Sequence, residues 1–262
     1  MTRNKIFLAL FGLILIVGIG FRTYRFHDFL RFNADQSRDA TLASEVLVGK
    51  APWPLLGPKA GGTEFKLGSA FYSFQIVSSE LFGVTPVSAA YPDLLFSLLA
   101  IPLLFLLLRQ YFDTKTALRL TAVFALSYFA VKYSRFAWNP NSTPFWSMLF
   151  LLALYQSVIP GERKRWWIWP MVLGVAIGIG VELHTLLLAL LPMTFVMVFG
   201  YALWKQKNSR LWKHIAVAIA FALLINTPQI VASGPCICKT SDVRVSCAPC
   251  KWRTFSLSRK RS

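Results

Sequence analysis

The spacing of its charges limits what this sequence could fold into more than any other feature. Residues 6–20, 94–108, 120–131, 142–160 and 215–231 carry no charged side chain, and the run 166–204 carries only Glu182. A helix needs about 20 mostly apolar residues to cross the hydrocarbon of a bilayer. At about 1.5 Å of rise per residue, 166–204 is long enough for two crossings, with Glu182, Leu183 and His184 at its midpoint, where a hairpin would turn. The sequence therefore predicts an all-α fold: a polytopic transmembrane helix bundle of about seven spans.

The polar breaks between the runs are strongly basic. Arg3, Lys5, Arg109, Lys115, Arg119, Arg163, Lys164, Arg165, Lys205, Lys207, Arg210 and Lys213 fill them, against only Asp113 and Glu162. The excess of Lys and Arg in cytoplasmic loops sets the orientation of membrane proteins, so these breaks are expected inside. Paired spans then turn outside near residues 132–141 and 182–184. The formal charge of +17 is mostly this topology signal. A nucleic-acid partner would need basic residues gathered on a folded polar surface, so none is expected. The first span is read as an uncleaved anchor, because Gly20, Phe21 and Arg22 offer no small-x-small cleavage site.

Residues 22–84 differ, with 7 basic and 6 acidic residues, Pro52, Pro54, Pro58 and the Gly61-Gly62 pair. This is the signature of a long external loop. Span parity forbids 66–82 from crossing, and its Ser69, Ser73, Gln75, Ser78, Ser79 and Glu80 are too polar for lipid. Phe71, Phe74, Leu81 and Phe82 fall near helical spacing, which predicts an interfacial amphipathic helix.

Ahead of it in the loop, another helix is expected from Asn33 or Asp35, as N-cap, to Gly49. On it Asp35, Arg38 and Asp39 stand at i, i+3 and i+4 and share a face. Two carboxylates and a guanidinium just outside a membrane can deprotonate a hydroxyl, hold a divalent cation, or pair with phosphate. The same spacing also describes a capped helix with a surface salt bridge. Glu64 and Lys66, expected to open the interfacial helix, read equally as a helix-end charge pair or as substrate contacts. In the second external loop, Lys132 and Arg135 precede Trp138-Asn139-Pro140-Asn141. Basic residues on that side need a reason, which lipid phosphate or simple headgroup anchoring would supply. Glu182 and His184 are costly inside a membrane unless functional or able to reach water. Gly174, Gly178 and Gly180 lie at small-residue spacing for close helix packing.

One span, then Asp35-Gln36-Ser37-Arg38-Asp39, then a second loop helix, resembles the GT-C superfamily of membrane glycosyltransferases. More closely, the sequence is similar to the protein-mannosyltransferase and aminoarabinose-transferase-like branch, glycosyltransferase family 39. Trp138-Asn139-Pro140-Asn141 and the glycine-rich span ending in Glu182-Leu183-His184 add to the likeness, which covers roughly residues 1–232. The resemblance implies transfer of a sugar from a polyprenyl-phosphate donor to a lipid, glycan or protein hydroxyl, on the external face of a bacterial plasma membrane, with inversion. It assigns Asp35 as the catalytic or metal-associated carboxylate, with Mg or Mn as the cation such a site would take. Arg38 would contact the lipid phosphate, and Asp39 would support the site or the acceptor. Glu64, Lys66, Arg135, Asn139 and Asn141 match further substrate contacts, to which Glu182 and His184 are added. A non-catalytic flippase or assembly subunit handling lipid-linked sugars is the competing class.

The end of the sequence is different again. Cys236, Cys238, Cys247 and Cys250 all fall in 233–262, a basic stretch without hydrophobic periodicity. It is expected to be a non-native end that truncates the protein at its C-terminus, which would leave the donor site incomplete and the product inactive. A zinc-binding tail is the other reading.

Overall fold

The computed structural model describes residues 3–61, 63–159 and 167–233. The expected Cys-rich tail and the break holding Arg163, Lys164 and Arg165 lie outside them. In sequence order the elements are α1 (Arg3–Thr23), α2 (Ala34–Leu47), β1 (Leu56–Lys59), β2 (Lys66–Gly68), α3 (Ala70–Phe82) and α4 (Pro86–Leu108). Then come α5 (Thr114–Leu126), α6 (Tyr128–Tyr133), α7 (Thr143–Val158), α8 (Ile168–Leu183), α9 (Thr185–Gln206) and α10 (Arg210–Ser233). The fold is thus almost wholly helical, and every expected apolar run is helical: α1, α4, α5 with α6, α7, α8 with α9, and α10. Among the described residues α1, α4, α9 and α10 are long and apolar enough to cross a membrane, and α8 is a shorter apolar helix.

Local chemistry fixes the helix ends. Thr85 accepts from the Ser88 amide at 3.1 Å to start α4, and Asp113 accepts from the Lys115 amide at 3.0 Å to start α5. Each satisfies a donor that the first helical turn leaves free. The 120–131 run differs from expectation. Its helix begins earlier, behind Asp113, and breaks at Ser127, whose backbone (φ −59°, ψ 123°) leaves the helical region before α6 starts.

Helix α8 is the centre of the bundle, packed between α7 and α10 and touching α9, α3 and β2. Its glycines permit this. A Cβ at Gly174 would overlap the Ala218 carbonyl of α10, and one at Gly178 would sit 2.8 Å from the Ile225 Cβ. Backbones can approach this closely only where side chains are absent.

Polar side chains tie the helices together at two opposite ends. At one end, Gln156 of α7 donates to Gln110 after α4 at 3.1 Å, and Gln206 of α9 donates to the Val158 carbonyl at 2.9 Å. His214 of α10 meets the Ser157 carbonyl at 2.7 Å at this same end. Arg109, Lys115, Arg119, Lys205, Lys207, Arg210 and Lys213 also gather there, because the helices alternate in direction. The other end holds α2, α3, the β1–β2 hairpin and the loop after α6.

Arg22, near the end of α1, is fully buried. Its Nε donates to Ser97 Oγ at 2.9 Å, and its Nη1 to the carbonyls of Gly18 at 3.0 Å and Ala125 at 2.8 Å. Ala125 lies in the last turn of α5, whose carbonyls lack helical partners and carry the negative end of the helix dipole. A buried guanidinium thus clamps α1, α4 and α5 through neutral oxygens.

Helix α3 departs from the amphipathic expectation. It starts at Ala70, after a strand, and buries Gln75, Ser78 and Ser79 while exposing Val77, Leu81 and Phe82. Ser78 has a partner there, its Oγ donating to the Ser88 carbonyl at 2.6 Å, whereas the side-chain amide of the buried Gln75 has none among the described residues. Phe71, Tyr72 and Ile76 are buried as well, so apolar side chains lie on both sides of the helix.

Candidate active site on the first loop

Helix α2 opens with Asn33, whose amide donates to Gln36 Oε1 at 2.9 Å. Gln36 Nε2 then donates to the Ala137 carbonyl at 2.9 Å, so the same buried side chain starts the helix and docks it on the loop after α6. This docking sets how the next turn is presented.

On that turn Arg38 bridges two carboxylates. Its Nη1 lies 3.0 Å from Asp35 Oδ1, and its Nη2 lies 2.8 Å from Asp39 Oδ1. Asp35 and Arg38 are solvent-exposed, whereas Asp39 is only 4% exposed. The Tyr72 hydroxyl of α3 donates to the same Asp39 oxygen at 3.2 Å. Burial pushes the Asp39 carboxyl above its ordinary range, and the hydrogen bond and charge of Arg38 offset this only in part. Burial, then the Asp39 charge, likewise raises the Tyr72 hydroxyl. Sequence reasoning misses Tyr72, since nothing in the spacing links it to residue 39.

The other candidates are spread around this end of the bundle. Glu64 is in the hairpin turn and 91% exposed, paired with Lys59 at 2.8 Å, which lowers its carboxyl. Lys66 is exposed and opens β2, so neither residue opens a helix as expected. The hairpin takes this place because β1 and β2 pair antiparallel, Lys59 opposite Lys66. Arg135 reaches towards α1, donating to the Phe21 carbonyl at 2.5 Å with its guanidinium 5.3 Å from the Phe29 ring centre. Burial lowers its guanidinium.

Asn139 and Asn141 hold their loop in shape. Asn139 Nδ2 donates to the Leu183 carbonyl and Asn141 Nδ2 to the Phe136 carbonyl, both at 2.8 Å. Asp93 completes this loop from α4, its Oδ2 accepting from the Trp138 amide at 3.0 Å while the side chain is buried. An acid next to a charge-free span was the available signal for Asp93. His184 starts α9, its Nδ1 accepting from the Leu186 amide at 3.1 Å.

Glu182 is 2% exposed, and its Oε2 accepts from the Ala70 amide at 2.9 Å. It therefore caps α3 from another helix. Gly68 makes room for it, since a Cβ there would overlap the Glu182 side chain. Glu182→Gln keeps an acceptor oxygen and is expected to change stability little. Glu182→Leu strands the Ala70 amide and should lower stability by about 1–3 kcal/mol. Thermal unfolding of the two variants in detergent checks this; equal midpoints would mean that the cap contributes nothing.

Among the described residues no group of three or more His, Cys, Asp or Glu side chains comes together. Asp35 and Asp39 are bridged by Arg38, which occupies the place a cation between them would take. This donor set does not fit a divalent cation.

A family model described as dolichyl-phosphate-mannose-protein mannosyltransferase matches residues 70–231, from the start of α3 almost to the end of α10. Among curated proteins the sequence is similar to the undecaprenyl phosphate-alpha-4-amino-4-deoxy-L-arabinose arabinosyl transferase of Pseudomonas aeruginosa (strain UCBPP-PA14), 28% identical over 208 residues. The protein of that name from Pseudomonas paraeruginosa (strain DSM 24068 / PA7) is also 28% identical over 208 residues. Each match covers 76% of the present protein and 36% of the relative, which is thus spanned over about a third of its length. With more than half its residues matched, this membrane helix bundle belongs to the dolichyl-phosphate-mannose-protein mannosyltransferase family, within the GT-C superfamily.

Proposed function

We propose that the protein acts in transfer of a sugar from a polyprenyl-phosphate-sugar donor to a hydroxyl acceptor at the external face of a bacterial plasma membrane. Residues 1–232 are the N-terminal part of the GT-C transmembrane module, and 22–84 is the loop that carries its chemistry. The observation that carries this reading is the Asp35–Arg38–Asp39 cluster at the end of the bundle opposite the basic end, with Asp35 and Arg38 exposed and Asp39 buried beneath them. The positive-inside rule makes that end external.

The cluster suits a single displacement. Asp35 takes the acceptor's hydroxyl proton as general base. The freed oxygen attacks the anomeric carbon as the bond to the phosphate oxygen breaks, and the polyprenyl phosphate leaves with the electron pair. Arg38 stabilises the charge on that leaving group. One displacement inverts the anomeric centre. Asp39, held by Tyr72, aims the guanidinium. Lys66, Arg135, Asn139, Asn141, Glu64, Glu182 and His184 shape the surrounding surface, several of them through the loop contacts described above. The acceptor is a lipid, glycan or protein hydroxyl.

Asp35→Asn is expected to reduce transfer from undecaprenyl-phosphate-linked aminoarabinose by about a hundredfold or more, the usual scale of a general base. Undiminished transfer would remove Asp35 from the chemistry. A wild-type protein that binds undecaprenyl phosphate, with binding weakened by Arg38→Ala, but transfers no sugar supports the non-catalytic class instead.

A further inference from the structure

A groove of about 370 Å³ lies at the site end of the bundle, between the last turn of α5, α6 and the start of α7. Phe124, Phe129, Ala130, Tyr133, Trp138 and Pro144 give it apolar walls. The helices around it turn apolar side chains outward, with Val123, Leu126, Tyr128 and Phe129 all exposed. A surface of that composition on a membrane bundle faces lipid. Ser127 and Asn141 also line the groove, and Trp138 belongs to the loop that leaves the membrane. These polar and aromatic groups place it at the boundary between acyl chains and headgroups, where Trp and Tyr concentrate.

A cation stands beside it. Lys132 Nζ lies 5.7 Å from the ring centres of both Tyr128 and Tyr133, and Tyr133 is a wall of the groove. None of the ion pairs among the described residues involves Lys132. No Asp or Glu occurs in residues 114–161. Asp93 approaches from α4, but it is buried behind the Trp138 amide and does not line the groove. A positive loop on the external side runs against the charge rule, and an anionic ligand would offset it.

From the apolar groove and its single cationic rim we infer that this is a binding site for an anionic phospholipid of the surrounding leaflet. One acyl tail lies in the groove, and the phosphate sits at Lys132. The site is separate from Asp35, Arg38 and Asp39 and does not depend on sugar transfer.

The test uses the whole protein in detergent, offered phosphatidylglycerol or phosphatidylcholine of matched acyl length, with bound lipid counted by native mass spectrometry. Wild-type protein is expected to retain phosphatidylglycerol in preference to phosphatidylcholine. Lys132→Gln should weaken that retention about fivefold, the scale of one lysine near an anionic surface. Ala130→Trp, which fills the groove, should abolish it. Lys132→Gln alters only a side chain lying over ring faces, so it keeps the test decisive if Ala130→Trp fails to fold. Equal retention of the two lipids, or retention unchanged in Lys132→Gln, overturns the inference. Displacement of phosphatidylglycerol by equimolar undecaprenyl phosphate overturns it too, and assigns the groove to the donor.

Discussion

Replacing Gly174 by leucine is expected to destabilise the bundle strongly. The position faces the Ala218 carbonyl of α10, so the obstacle is backbone, which does not rotate away as a side chain does. Overpacking a well-filled interior ordinarily costs about 1–3 kcal/mol. Here it must push apart the two most extensively packed helices of the fold. A loss of about 3 kcal/mol or more is expected, a large fraction of the roughly 5–15 kcal/mol that holds a protein of ordinary stability together. Gly200 supplies the control. Nothing lies within 4 Å of a Cβ there, and Gly200→Leu should be neutral or slightly stabilising, since leucine favours helix over glycine. Size-exclusion profiles and unfolding midpoints in one detergent compare them directly. A Gly174→Leu protein that elutes and unfolds like wild type would show that α8 and α10 do not need this approach.

Asp39→Asn should separate stability from activity. Burial holds the Asp39 carboxyl above its ordinary value, near 3.9 when unperturbed, and Arg38 compensates only partly. The folded protein therefore binds this proton more readily than the unfolded one. That advantage is present at acid pH and is lost as pH rises from about 4 through the raised folded value. At neutral pH the ionised carboxylate is a net cost. Asparagine removes the proton and should leave the neutral unfolding midpoint equal or higher. It should also flatten the part of the pH–stability curve due to this residue. Transfer should nonetheless fall by about a hundredfold, because Arg38 loses its anchor and small misplacements at a reacting centre carry that scale of penalty. Perturbed carboxylates kept at a cost are characteristic of functional sites. A neutral-pH destabilisation above about 1 kcal/mol would mean that the ion pair outweighs burial and that Asp39 is structural.

The bundle was legible in the sequence because lipid imposes one requirement from end to end. Charge-free runs had to become helices, and they did, although 120–131 is broken at Ser127. Asn33 and the acidic face of α2 were legible for a similar reason, since capping and i, i+4 spacing are local. The β1–β2 hairpin was not, because its pairing is short and its stability comes from packing on α8 and α10. Tyr72 beside Asp39, Asp93 beneath Trp138 and Glu182 over Ala70 depend on contacts 33, 45 and 112 residues apart, for which no local spacing gives a sign. Composition alone misleads about the orientation of α3. Gln75, Ser78 and Ser79 suggest a wet face, yet all three are buried, and Ser78 bonds the Ser88 carbonyl inside the bundle.

The contact between Glu182 and Ala70 also sets a clock. Proteins emerge from the ribosome at about 5–20 residues per second, so the acceptor that caps α3 is made on the order of ten seconds after the amide it receives. The packing of α10 against the hairpin comes later still. During that interval the strands and α2 lack the packing that later residues supply. Proteases and chaperones meet this loop before the rest of the protein can shelter it. Variants that weaken the late contacts should therefore lower the amount of protein that survives synthesis more than the stability of what remains.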